Sequence, residues 1–186
     1  MLGGNVAWGD ESIRKQDGGP SRYLIGVSIC DLDESEVRSE FMKAGLFKTK
    51  KVHWHDMALK EQKKSISLIN GFNLRHIVVS AEPLLDNMRS ERARRKCLET
   101  LFPILEDQYD IKQLIMEARS SKQNKDELLL IQKLRSRGFL HSLQYNLLPG
   151  PQDARLWIPD QVLGSVGAIG IKYPSVDNVE FFKINL

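Results

Sequence analysis

Val6-Ala7-Trp8-Gly9-Asp10-Glu11-Ser12 is the stretch whose reading decides the fold. Successive side chains of a strand point to opposite faces, so Val6, Trp8 and Asp10 share one face and Glu11 takes the other. A carboxylate on the apolar face of a strand needs a partner, because an unpaired buried charge is costly. Glu11 would need a β-bulge to reach the same side as Asp10.

Outward from this strand, residues 14–21 are turn-rich and residues 22–30 form a second strand through Tyr23, Leu24, Ile25, Val27 and Ile29, which predicts a hairpin. Asp33-Glu34-Ser35-Glu36 has capping-box order, and Val37, Phe41 and Ala44 then share a helical face up to Gly45. Residues 51–56 are short and extended and lead into a helix with Leu59, Ile66 and Ile69 inward, closed by Gly71. A strand over 76–81 should stop at Pro83, and a helix over about 87–107 should kink at Pro103. The β-prone run 111–117 ends on Glu117. A polar loop over 119–125 then precedes a helix with Leu128, Ile131 and Leu134 inward, and Gly138 suits its end. Residues 143–148 read as a strand, Leu156-Trp157-Ile158-Pro159 leads into a helix bearing Asp160 at a partly exposed start, and 179–184 reads as an edge strand or a docked tail. Strand, strand, then strands alternating with helices argues for an α/β fold, a mixed central sheet with an N-terminal antiparallel hairpin and flanking helices, with ligand chemistry at strand C-termini.

The 186 residues, 41% of them hydrophobic, suffice for one buried core, and residues 1–186 read as a single domain. With 27 basic against 24 acidic side chains the net charge is +3, so a polyanion site must come from local clustering. Cys30 and Cys97 lack the density or spacing of a disulfide framework or zinc site and read as reduced core residues. Neither a membrane-length apolar run nor a signal-like N-terminus is present, so a soluble cytoplasmic protein without a membrane partner is expected. There is also no Gly-Lys-Ser/Thr phosphate loop and no dinucleotide fingerprint.

Asp10, Glu117 and Asp160 thus each fall where a regular element presents a carboxylate at one end of a sheet, and clustered carboxylates call for compensating cations. Their structural reading is a polar turn, a strand-end acid and a first-turn acid favoured by the helix dipole. The order of elements and three short segments resemble the ribonuclease H-like superfamily, and more narrowly its domain-of-unknown-function 3800 family. Gly9-Asp10-Glu11-Ser12 resembles that family's first strand with its Asp-Glu-Ser-Gly ending, with residues 23–27 similar to its second strand. Leu156-Trp157-Ile158-Pro159-Asp160-Gln161-Val162-Leu163-Gly164 resembles its C-terminal helix, and Leu114-Ile115-Met116-Glu117-Ala118-Arg119 stands where a strand ends in an acid and a base. Ile13 replaces the usual Gly, Glu117 an Asp and Pro159 an Ala.

The resemblance implies a metal-dependent nuclease in which Asp10, Glu117 and Asp160, with Glu11 ranked after them, form the catalytic set. The first three would hold two Mg²⁺ or Mn²⁺ ions, about 3.5–4 Å apart, to activate water and stabilise the leaving oxygen of a phosphodiester. Nucleic acid, DNA or RNA, is the implied partner. Basic side chains available to grip phosphates are Lys51, Arg89, Arg92, Arg95 and Arg119, with His53 and His55 aimed to one side of an extended segment. The same clusters also read as solvated helix faces. Two rival functions are a catalytically silent nucleic-acid-binding module of the same fold and a protein-interaction domain with basic helix faces.

Overall fold

A computed structural model describes residues 5–16, 19–84, 90–168 and 175–186. Its centre is a six-stranded sheet in the order β5-β4-β1-β2-β3-β6. Strand β1 (Val6–Gln16) pairs antiparallel with β2 (Gly19–Ile29), and β2 pairs antiparallel with β3 (Arg75–Leu84). On the other side of β1, strands β4 (Gln113–Glu117) and β5 (Gln144–Leu148) run parallel to it, and β6 (Val179–Asn185) runs parallel to β3 at the opposite edge. The expected mixed sheet and leading hairpin are both present. The hairpin is longer than the turn-rich composition of 14–21 suggests: β1 continues to Gln16, so Asp10 sits inside a strand rather than at its end.

Period-two alternation divides the sheet between two cores. Ala7, Ile25, Val27, Ile77, Val79, Leu114 and Met116 face α3 (Ser90–Pro103) and α4 (Ser121–Ser136). Trp8, Leu24, Val78 and Ile115 face α1 (Glu34–Lys43), α2 (Leu59–Gly71) and α5 (Trp157–Gly167). Roughly 25 cal/mol per Å² of apolar surface removed from water drives both layers together. Cys30 and Cys97 are free and buried, one in each core.

Local differences have physical causes. Asp33 begins α1 without a side-chain cap; Glu34 instead accepts from Ala154 N–H and pairs with Arg38. Helix α3 ends at Pro103 and passes into one wide turn, Ile104–Gln108, since proline cannot donate the next helical bond. Strand β3 runs through Pro83 to Leu84. Helix α4 starts earlier than expected, because Ser120 and Gln123 form a capping box ahead of 125. Glu127, Ile131 and Leu134 are inward, while Leu128 is 44% exposed. Leu59 likewise lies at the exposed start of α2, with Ile66 and Ile69 carrying its packing.

Among the described residues no helix is long and apolar enough to cross a membrane.

Candidate active site

Strand register brings the first two acids together. β4 lies beside β1 in parallel with Gly9 opposite Met116, so Asp10 and Glu117 are the next residues along neighbouring strands. Asp10 keeps the Trp8 face, and Glu117 keeps the face of Ile115. β4 ends at Glu117, where the sheet opens to a cleft of about 300 Å³. Helix α5 crosses this face and supplies Asp160 from its first turn. Asp10, Glu117 and Asp160 line the cleft together with Arg14, Lys51, His53 and His55.

Each acid is positioned by specific contacts. Asp10 Oδ1 accepts the Glu11 backbone N–H at 2.7 Å. Asp160 is buried, not partly exposed as expected for a helix start; its Oδ2 accepts from Trp54 N–H at 2.8 Å and from Gln161 Nε2 at 2.9 Å. Its Oδ1 faces His53 Nδ1 at 3.3 Å. Both oxygens of Glu117 accept from Lys51 Nζ, at 2.7 and 2.6 Å.

The segment carrying Lys51, His53 and His55 is held by its own tryptophan. Trp54 is buried against α5, where Gly164 leaves room for the indole: a Cβ on Gly164 would stand 2.2 Å from the ring. That packing takes Trp54 away from any base-stacking role. Gly150 does a similar job beside Glu117, since a Cβ there would meet the carboxylate at 2.6–2.9 Å. Trp157 Nε1 donates to the Gly150 carbonyl at 2.9 Å and fixes that approach.

The electrostatics follow from three carboxylates sharing a partly desolvated space. Burial first, and then the charges of Asp160 and Glu117, push the Asp10 carboxyl well above the usual carboxylate range against the opposing pull of Lys51 and His53. Burial opposes the charge on Lys51, but Asp10, Glu117 and Asp160 together raise its proton affinity. Contact with the Asp160 carboxylate raises His53. His55, 5.6 Å from it ring to ring, is lowered by partial burial, Arg14 and His53. The two imidazoles therefore differ in charge preference although they are neighbours.

Glu11 points the other way. The β1–β2 register is regular at this position, so no bulge redirects the side chain, although Glu11 borders the cleft. Glu11 meets Arg94 and the Tyr23 hydroxyl beneath the opposite face. Arg94 also grips Glu127 through Nε at 2.7 Å and Nη2 at 2.8 Å, and both residues are buried. Arg119 completes this network, donating to Glu127 at 3.0 Å and to Glu91 at 2.7 Å. Sequence reasoning places Arg94 in a basic cluster that could grip phosphates or form a solvated helix face; it is instead buried, and its partner Glu127 was missed.

The basic residues expected to hold phosphates are accordingly divided. Lys51, His53 and His55 border the carboxylate cleft. Arg119 is engaged by acids of the Glu11 network. Arg92 and Arg95 are exposed on α3, on the Glu11 side of the sheet, where Arg95 lines a groove between α3 and α4 with Lys96, Lys133 and Arg137. Arg89 lies outside the described residues.

No protein-family profile and no curated protein matches the chain. Among solved structures it is similar to a chain of the PCNA:RNase HII complex from Archaeoglobus fulgidus, with 13% identity and a TM-score of 0.50 over 93% of this chain and 82% of that one. At that identity the likeness is one of fold. Taken with the six-stranded mixed sheet and its helices on both faces, it makes this a ribonuclease H-like fold.

Proposed function

We propose that the cleft hydrolyses phosphodiester bonds of nucleic acid with the help of Mg²⁺ or Mn²⁺, acting as one domain of residues 1–186 in the cytoplasm. The observation that carries this reading is the meeting of Asp10, Glu117 and Asp160, from two strands and a helix, with a single ammonium among them. Carboxylate oxygens are the donors that hard divalent cations take; burial first, and then the charges of Asp160 and Glu117, raise the proton affinity of Asp10, and a bound cation would offset the second of these. Asp10 and Asp160 would hold such an ion, with Glu117 completing the acidic set. When bound, a divalent ion supplies Lewis-acid activation of water and charge at the leaving oxygen.

The chain's own residues then have defined tasks. Trp54 N–H and Gln161 fix one oxygen of Asp160 and leave the other toward the cleft and His53. His53, charged more readily through Asp160, can hold a proton beside the scissile phosphate, and Lys51 offers positive charge to a phosphate oxygen. Within the described residues, the lack of a base-reading motif favours sequence-independent contact through phosphates, with affinity falling as salt rises.

The test is cleavage of a panel of single- and double-stranded DNA and RNA with Mg²⁺ or Mn²⁺, with EDTA, and with Asp160→Asn. Activity is expected only with the metal, and the substitution should lower it by about a hundredfold or more. The variant should fold, at a cost of about 1–3 kcal/mol from the weakened bond to buried Trp54 N–H. Cutting in EDTA, or an Asp160→Asn protein as fast as the parent, sinks the metal mechanism. Binding without cutting in either protein makes the catalytically silent module the better reading.

A further inference from the structure

Resting on the proposed metal-dependent chemistry, we propose that Lys51 is a resident cation that fills the second of two positive positions, so that the cleft takes one divalent ion rather than two. Lys51 is half-buried, and its Nζ sits on both oxygens of Glu117 at 2.7 and 2.6 Å, the geometry of an ammonium shared by a carboxylate.

Charge balance points the same way. With all three acids ionised, Asp10, Glu117 and Asp160 with Lys51 leave two negative charges; one divalent ion cancels them and a second would leave an excess of two, against an excess of one without Lys51. The other charged groups bordering the cleft do not alter the count toward a second ion. Glu11 is paired with Arg94 beneath the opposite face, and Arg14, which donates to the neutral Leu163 carbonyl at 3.4 Å, keeps its positive charge and makes a second ion less favourable still. His53 adds positive charge when protonated.

Lys51 is also held in place rather than merely present. Its segment is anchored two and three residues on, by His53 against Asp160 and by Trp54, whose indole packs on Gly164 and whose N–H binds Asp160. The ammonium therefore enters the cleft with the same element that positions Asp160. In substrate it would meet a phosphate oxygen on the Glu117 side, and the ion would serve the side of Asp10 and Asp160.

The experiment counts Mn²⁺ bound to the full chain, by titration calorimetry and by the electron paramagnetic resonance of free Mn²⁺, in the parent, Lys51→Gln and Lys51→Arg. Melting curves run alongside. The glutamine can still donate to Glu117 but carries no charge; the arginine keeps the charge if the glutamine variant does not fold. One ion is expected in the parent and in Lys51→Arg, and two in Lys51→Gln, the first bound about tenfold more tightly than in the parent. Two ions in the parent or in Lys51→Arg overturn the proposal while leaving metal binding intact, as does a count of one in folded Lys51→Gln. Absence of Mn²⁺ from all three proteins defeats the metal reading itself and this inference with it.

Discussion

Asp10 and Glu11 are neighbours in one strand, yet they belong to opposite electrostatic worlds. Glu11, Glu91 and Glu127 are matched by two guanidinium groups whose planar forks take both oxygens of Glu127 and reach the other acids. Among the described residues, Asp10, Glu117 and Asp160 have one ammonium and a half-committed histidine. Both sides gather three carboxylates, of which only Glu91 is exposed. The difference lies in saturation: arginine forks close the first network, whereas a single point charge leaves the second with negative potential facing a cleft. An acidic cluster becomes a candidate for chemistry by the partners it lacks more than by the acids it contains.

The contrast can be broken most forcefully on the arginine side. Arg94→Ala should strand the buried Glu127 carboxylate and cost about 3–5 kcal/mol, a fall in Tm of about 6–20 °C by thermal melting. Mn²⁺ binding by the folded fraction should change far less than stability, because the two networks lie on opposite faces of the sheet and only the Asp10 charge reaches Arg94 across it; loss of binding with Arg94→Ala would show them to be one.

A smaller effect is expected where the cleft's loop meets α5. Gly164→Ala puts a methyl group 2.2 Å from the Trp54 ring, and forced repacking should cost about 1–3 kcal/mol. Because Trp54 N–H holds Asp160, the same change should also weaken Mn²⁺ binding, unlike Arg94→Ala at equal destabilisation. Equal affinity in Gly164→Ala and the parent would uncouple the loop from the acid.

Asp10→Asn should give the smallest change and the opposite sign. In the folded protein the Asp10 carboxyl is raised above its ordinary 3.8, by burial and then by its acidic neighbours. The native state therefore holds the proton more tightly than the unfolded chain. Its contribution to stability is fully present below 3.8 and is lost as pH rises through the folded value. Asparagine cannot ionise, so in EDTA the variant should melt higher than the parent at neutral pH, each ~1 kcal/mol giving roughly 2–4 °C. His76, which burial lowers to about 4, imposes the reverse slope below 6.5 in both proteins and cancels in the difference curve. A lower melting point for Asp10→Asn at pH 8 contradicts an under-compensated cluster.

Much of this architecture is legible in sequence because it rests on local periodicity. The two-residue alternation around Trp8 sends Asp10 and Glu11 apart, and the strand run ending at Glu117 and the helix bearing Asp160 both occur where expected. The cleft's geometry is less legible. Lys51 reaches Glu117 across 66 positions, and Trp54 N–H reaches Asp160 across 106, separations that leave no pattern in the chain. The burial of Asp160 depends on that second contact and so escaped a reading based on helix position alone. The inward position of Glu127 leaves no local pattern either: a buried acid is explained by its partner, and Arg94 lies 33 positions away.

The indole of Trp157 has a mechanical consequence. It lies three positions before Asp160 on the same helix and holds the carbonyl of Gly150, the residue against which Glu117 rests. Two walls of the cleft, contributed by distant parts of the chain, thus turn on one bearing. A displacement of α5 is transmitted to the seat of Glu117 as well as to Asp160, so the two carboxylates should yield together under a bound substrate instead of opening like separate jaws.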